Sequence, residues 1–182
     1  KIYYEITLPA MSQTQTTTST ASTWVGYANG IGNLLLKDVS IEVGGHIVDT
    51  HKSEYLDIWN QLTNTDNNTN EMIGDWESDF SLMTNAVIEK TYNIPLQFWF
   101  CKNTASALPL IALQYHEVII TTEFRDAASC VRNGAAPDST AEHLTVPKDS
   151  GGTSTIAFSD PKVLIEYIFL DDNERLKFSQ KT

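Results

Sequence analysis

The side chains of this sequence that could do chemistry are few, and their spacing argues against a reactive centre. There are four histidines, His46, His51, His116 and His143. A metal held on a β-sandwich needs alternation of the HxH or HxD/E type, and "HIV" at 46–48 and "HEV" at 116–118 do not supply it. His116 and Glu117 are adjacent on an expected strand, 115–124, so they point to opposite faces and cannot form a dyad. The ordinary expectation for His116 is a structural hydrogen bond where a loop enters the sheet. Ser106, Ser129 and Ser150 lack a GxSxG elbow, and no triad order is evident. Cys101 and Cys130 show no CxxC spacing, and nothing near Cys101 would lower its pKa; two reduced thiols are expected. Glu54 and Asp57 share a helix face at i, i+3, which a solvated surface explains. No GxGxxG or P-loop pattern is present. One sequon, Asn67-Asn68-Thr69, lies in an Asn/Thr-rich loop that would permit glycosylation. The expectation is therefore no catalytic residue, no metal ligand and no cofactor.

What remains is architecture. The chain has 182 residues, 41% of them hydrophobic and 10% aromatic, enough for one domain with a proper core. Twelve Lys and Arg stand against 23 Asp and Glu, a net charge of −11, which disfavours direct contact with a phosphate backbone. No run of about 18 apolar residues suggests a transmembrane helix.

Along the chain, "KIYYEITL" (1–8) reads as a strand closed by Pro9, and the polar low-complexity run 12–23 as a loop. "WVGYANGIGN" (24–33) reads as a connection. "LLLKDVSIEVGG" (34–45) alternates, with Leu35, Val39, Ile41 and Val43 on the buried side and Gly44-Gly45 as the turn. A helix follows, with Asp49 or Thr50 as cap and Tyr55, Ile58, Trp59 and Leu62 at helical spacing. Residues 63–71 are turn formers, and 72–93 carry a mixed signal, a short helix or irregular packing. Strands are expected at 92–100 and 162–170. A one-turn helix or tight loop is expected at 104–113, a long loop at 129–161, and a helix start after Asp171 or Asp172. Several strands with turn-rich connections mean an antiparallel sandwich, a jelly roll in particular, or a barrel. The surplus of apolar strand surface, Phe98, Trp99, Phe100, Tyr167, Ile168 and Phe169, suggests a face toward another domain or subunit.

Three segments carry a resemblance: "VSIEVGGHIVDTHKSEYLDIWNQLT" (39–63), "IPLQFWFCKNTASALPLIALQYHEVII" (94–120) and "VLIEYIFLDDNERLKFSQ" (163–180). In this order, and covering over a third of the chain, they resemble the major capsid proteins of nucleocytoplasmic large DNA viruses. The resemblance implies an all-β, antiparallel eight-stranded jelly-roll sandwich with short helices and long loops, the first of two in a double jelly-roll subunit. It implies that residues 1–170 are the N-terminal jelly roll, with its first strands ahead of residue 1. Residues 171–182 would begin a linker helix to a second jelly roll. It further implies homotrimeric, pseudo-hexagonal capsomers tiling an icosahedral virion shell, assembled in the host cytoplasm. Minor capsid or cement proteins are further partners, nucleic acid is not contacted directly, and no catalytic residue is carried over.

Two readings compete. One is a carbohydrate-binding jelly roll using Trp24, Trp76 or Trp99 as a platform beside carboxylate or amide groups. The other is a metal-dependent jelly-roll enzyme.

Overall fold

In the computed structural model, residues 1–11, 24–64, 69–76, 85, 88–113, 115–134 and 160–179 are described. The expected loops at 12–23 and 65–68 and most of 129–161, with Asn67, His143 and Ser150, lie outside them.

Strand β1 (Ile2–Leu8) follows from strict alternation: Ile2, Tyr4, Ile6 and Leu8 are buried, and the residues between are half-exposed. It pairs antiparallel with β5 (Lys90–Pro95) on one side and β8 (Lys162–Ile165) on the other. A second three-stranded sheet has β3 (Leu36–Val43) between β4 (His46–Lys52) and β6 (Val118–Phe124). The β3–β4 turn is Gly44-Gly45 with φ of 59° and 85°, the left-handed pair that a two-residue hairpin requires. A two-stranded ribbon joins β2 (Trp24–Tyr27) to β7 (Val131–Gly134).

The two larger sheets face each other. The Tyr4 ring meets Phe124 edge-on at 5.8 Å, and the Tyr4 and Thr122 hydroxyls are hydrogen-bonded. Between the layers Ile6, Leu8, Val39, Ile41, Ile94 and Phe98 are excluded from solvent. Helices are short: α1 (Ile31–Leu35), α2 (Ser53–Thr63), α3 (Asn70–Ile73), α4 (Trp99–Lys102) and α5 (Asp172–Ser179). The described part is thus mostly antiparallel β with short helices. Its strands group as three, two and three, rather than as two four-stranded layers.

Several expected boundaries move. Residues 24–33 are not a plain connection but β2 and the start of α1. The aromatic strand 92–100 ends at Pro95, which pairs with Tyr3, and just beyond it the Leu96 amide donates to the Ile2 carbonyl at 3.0 Å. The strand at 115–124 starts only at Val118. The strand at 162–170 stops at Ile165, and Tyr167 and Phe169 beyond it are exposed. The cap of α2 is neither Asp49 nor Thr50. Both are in β4, which stays paired up to Lys52 opposite Asp38, and Lys52 takes the cap position in an extended conformation.

Candidate assembly surface

Among the described residues no group of three or more His, Cys, Asp or Glu side chains could hold a metal ion. His46 is exposed beside the hairpin turn. His116 is not on a strand; it sits in the turn before β6, exposed, with its backbone amide donating to Leu113 at 2.9 Å. Its ring lies over the hairpin, where a Cβ on Gly44 would come within 2.7 Å of Nδ1. Where a structural hydrogen bond was expected of His116, the contact shown for its ring is packing against a glycine. Glu117 contributes its carbonyl, which accepts from the Gly44 amide at 3.0 Å.

His51 is the histidine the structure does use. Its side chain is buried, stacked on Phe98 at 4.6 Å and tilted against Tyr55 at 4.7 Å. Nε2 lies 3.3 Å from the Asp49 carboxylate, and Nδ1 is buried with no hydrogen-bond partner. Burial holds its pKa below the ordinary value, and Lys102 adds to that effect, while Asp49 opposes both. The ring is held between two aromatics, with Nδ1 buried away from solvent.

The other candidates separate in the same way. Glu54 and Asp57 share α2 but serve different neighbours. Glu54 is exposed near Arg125, its carboxyl held below the usual range mainly by its own backbone amide. Asp57 is pushed up by burial and then by Asp75. Ser129 donates to the Asp126 carbonyl at 2.6 Å, capping a turn. Cys101 and Cys130 are free and buried, and burial pushes both thiols up, the reverse of what a nucleophile needs. Trp76 lies under the Lys90 ammonium at 4.0 Å, Trp24 opens β2, and Trp99 is on α4. Trp24 and Trp99 sit on separate elements, and Trp76 lies in the chain after α3.

What the fold does assemble is apolar surface facing outward. One strip runs along β8 and past it, where Val163, Leu164, Ile165, Tyr167, Ile168 and Phe169 are all exposed. It borders a cleft of about 340 Å³, walled by Leu108, Leu110, Ile111, Val118 and Ile120. The second lies on α2. Its buried contacts are Ser53 and Leu56, so Tyr55, Ile58 and Leu62 point outward, with Leu62 75% exposed. Tyr55 and Ile58 share a groove with Trp99, Gln97 and Lys102, and Lys102 lies over the Trp59 ring at 3.7 Å. Of the surplus apolar residues flagged in the sequence, Phe98 is core, whereas Tyr167, Ile168 and Phe169 are surface. The unbroken run "KVLI" of β8, which lacks the alternation of a one-sided strand, was the available signal for the first strip.

The described part is a β-sandwich that turns apolar strips outward, the kind of surface that other protein covers. The comparisons give it a family. The chain belongs to the family described as the major capsid protein N-terminus, whose pattern matches residues 1–171. It is 38% identical over 168 residues to the major capsid protein of Pyramimonas orientalis virus, covering 85% of this chain and 35% of that relative. It is 40% identical over 139 residues to probable capsid protein 4 of Acanthamoeba polyphaga mimivirus, covering 74% and 27%. Among solved structures, the quasi-atomic model of the PBCV-1 virus capsid matches with a TM-score of 0.68 at 25% identity, covering 98% of this chain and 37% of that one. The chain spans about a third of the length of the curated relatives it matches.

Proposed function

We propose that this chain is the N-terminal jelly-roll domain of a major capsid protein, a coat-forming building block without catalytic activity. The observation that carries the reading is the family match over residues 1–171, on a chain whose exposed surface holds apolar strips a free-standing domain would bury. The subunit forms homotrimeric, pseudo-hexagonal capsomers that tile an icosahedral virion shell, assembled in the host cytoplasm, with minor capsid or cement proteins as further partners. Its β architecture supports an eight-stranded jelly roll, in which the β2–β7 ribbon extends the layers formed by the two larger sheets. Residues 1–170 constitute the jelly roll. Helix α5 begins the linker to a second one, and the strip along β8 and the adjoining cleft are then interior surface of the whole subunit. The acidic balance of −11 favours an outer wall over contact with packaged DNA. Electron microscopy of the full-length protein tests this: three-fold, hexagonal-looking particles are expected, and a strictly monomeric protein under all assembly conditions refutes it.

The carbohydrate-binding alternative is not favoured, since Trp99 lines the α2 groove while the Trp76 ring is covered by the Lys90 ammonium.

A further inference from the structure

Aromatic rings form one continuous row from α2 to α4. Trp59 lies 6.1 Å from Tyr55, Tyr55 lies 4.7 Å from His51, and His51 lies 4.6 Å from Phe98. Phe98 then stacks on Phe100 at 5.5 Å, and Phe100 meets Trp99 edge-on at 4.9 Å. Trp59 and Tyr55 belong to α2, and Phe98 leads into α4, which holds Trp99 and Phe100. His51, near the end of β4, is the link between the two groups. It is also the ring of this row whose charge changes between about pH 5 and 8.

The slot suits the neutral ring. Nε2 faces the Asp49 carboxylate at 3.3 Å, and Nδ1 is buried and bare, so a proton added there finds no acceptor. The charges around the slot do not offset this. On β4, Asp49 attracts an imidazolium, but it is 35% exposed and screened by solvent, and Lys52 follows it with the opposite sign. On α2, Glu54 lies by Arg125, and Tyr55 presents its ring. On α4, Lys102 disfavours a charged His51. Opposite His51 on β3 stands Val39, which carries no charge. Lys102 is also a second tie between the helices, its ammonium 3.7 Å from the centre of the Trp59 ring. A charge on His51 therefore acts against both ties at once.

What gives way is local. Helix α2 has 11 residues, of which Ser53 and Leu56 are buried, and a helix of that length is marginal without packing. Among the described strands, β4 is paired with β3 alone. We propose that His51 is an acid-released latch: on taking a proton its ring leaves the space between Tyr55 and Phe98, and α2 with the end of β4 loosens from α4 while the sheets stay formed. Such an opening costs less than unfolding the domain. Tyr55 also stands on the exposed side of α2 with Ile58 and Leu62, so acid changes the shape of an outward face. The latch is a property of the domain and does not depend on what covers that face.

Hydrogen–deuterium exchange of the full-length protein, read peptide by peptide between about pH 7.5 and 5.5, tests this against His51→Phe. Phenylalanine keeps the stack and cannot titrate, and comparing the two proteins at one pH cancels the intrinsic dependence of exchange on pH. The wild type should show extra exchange over residues 46–63 below about pH 6.5, rising by up to about tenfold per pH unit, the limit for one proton. Strands β1 and β5 should show none. Asp49→Asn, which removes the group favouring the imidazolium, should enlarge the acid effect over 46–63. Wild type and His51→Phe exchanging alike over these residues overturns the latch, and so does an acid loss shared evenly with β1 and β5. Should His51→Phe not fold, Asp49→Asn decides alone: an acid response over 46–63 no larger than that of the wild type refutes the proposal.

Discussion

Lowering the pH should weaken this domain through one residue, His51. The ring has two nitrogens in unequal positions: Nε2 is 3.3 Å from Asp49, and Nδ1 is buried without a partner. Protonation would put a charged N–H donor at Nδ1, between Phe98 and Tyr55, with nothing to accept from it. A buried unsatisfied donor costs about 1–3 kcal/mol, more when charged. The attraction to Asp49, a carboxylate 35% exposed, is worth about 0–1 kcal/mol. Burial wins, and the folded-state pKa lies below the unfolded value of 6.5. The sign follows: the unfolded chain binds the proton first. The contribution of neutral His51 is therefore complete above about pH 6.5 and is lost as pH falls toward the lower folded-state value. In that window one proton gives a limiting slope of about 1.4 kcal/mol per pH unit. The assay is urea unfolding of wild type and His51→Phe at a series of pH values. Phenylalanine keeps the aromatic stack and cannot titrate, so subtracting the two curves removes His46, His116 and every carboxylate. The difference should be flat above neutrality and should turn against the wild type below about pH 6.5. Asp49→Asn, which removes the one group favouring the imidazolium, should steepen the loss. A difference that stays constant, or that grows in favour of the wild type in acid, refutes the reasoning.

Gly32→Ala should destabilise despite standing in a helix. Alanine gains about 0.5–1 kcal/mol of helix preference. Its Cβ, however, would lie 2.9 Å from Ile94 Cγ1 and 3.0 Å from the Ile73 backbone, and overpacking against backbone costs about 1–3 kcal/mol. Chemical denaturation reads the net loss, and a raised midpoint contradicts it. Phe98→Ala removes a fully buried ring that stacks on both His51 and Phe100, so it should cost about 3–5 kcal/mol. A loss under 1 kcal/mol in the same assay would mean that the stack is not part of the core.

The sheets were legible in the sequence wherever alternation met a turn. Ile2, Tyr4, Ile6 and Leu8 announce a one-sided strand, and Val39 and Ile41 before Gly44-Gly45 announce a hairpin, because both signals are local. Strand ends were not legible, since they depend on the partner. Tyr92, Ile94, Leu96 and Phe98 keep alternating into the core after Pro95, although ladder pairing with β1 stops at Tyr3 opposite Pro95. The period of α2 was likewise visible, but not which side is buried. The fold puts Leu56 inward and leaves Tyr55, Ile58 and Leu62 outside, a choice fixed by what lies opposite the helix. His51 escaped notice for the same reason: its stacking partners come from 4 and 47 positions along the chain.

The groups that hold α2 in place bear on whether its face can serve assembly. A contact that must order a mobile helix loses affinity to that ordering, whereas a rigid one does not. Arg125, just past β6, spans the junction. Its Nε donates to the Leu34 carbonyl at 3.1 Å, its terminal nitrogen donates to the Ser53 hydroxyl at 2.9 Å, and the Glu54 carboxylate is 3.8 Å away. One guanidinium thus ties α1, β6 and the first turn of α2 together. Leu56 anchors the next turn in the core, and the Thr63 hydroxyl donates to the Trp59 carbonyl at 2.7 Å in the last. The exposed stripe is therefore presented from a helix whose first two turns are tied to the rest of the domain through Arg125 and Leu56. Ser53, Glu54 and His51 thus sit around the junction of β4 with α2, where Ser53 accepts from Arg125 and His51 stacks on Phe98.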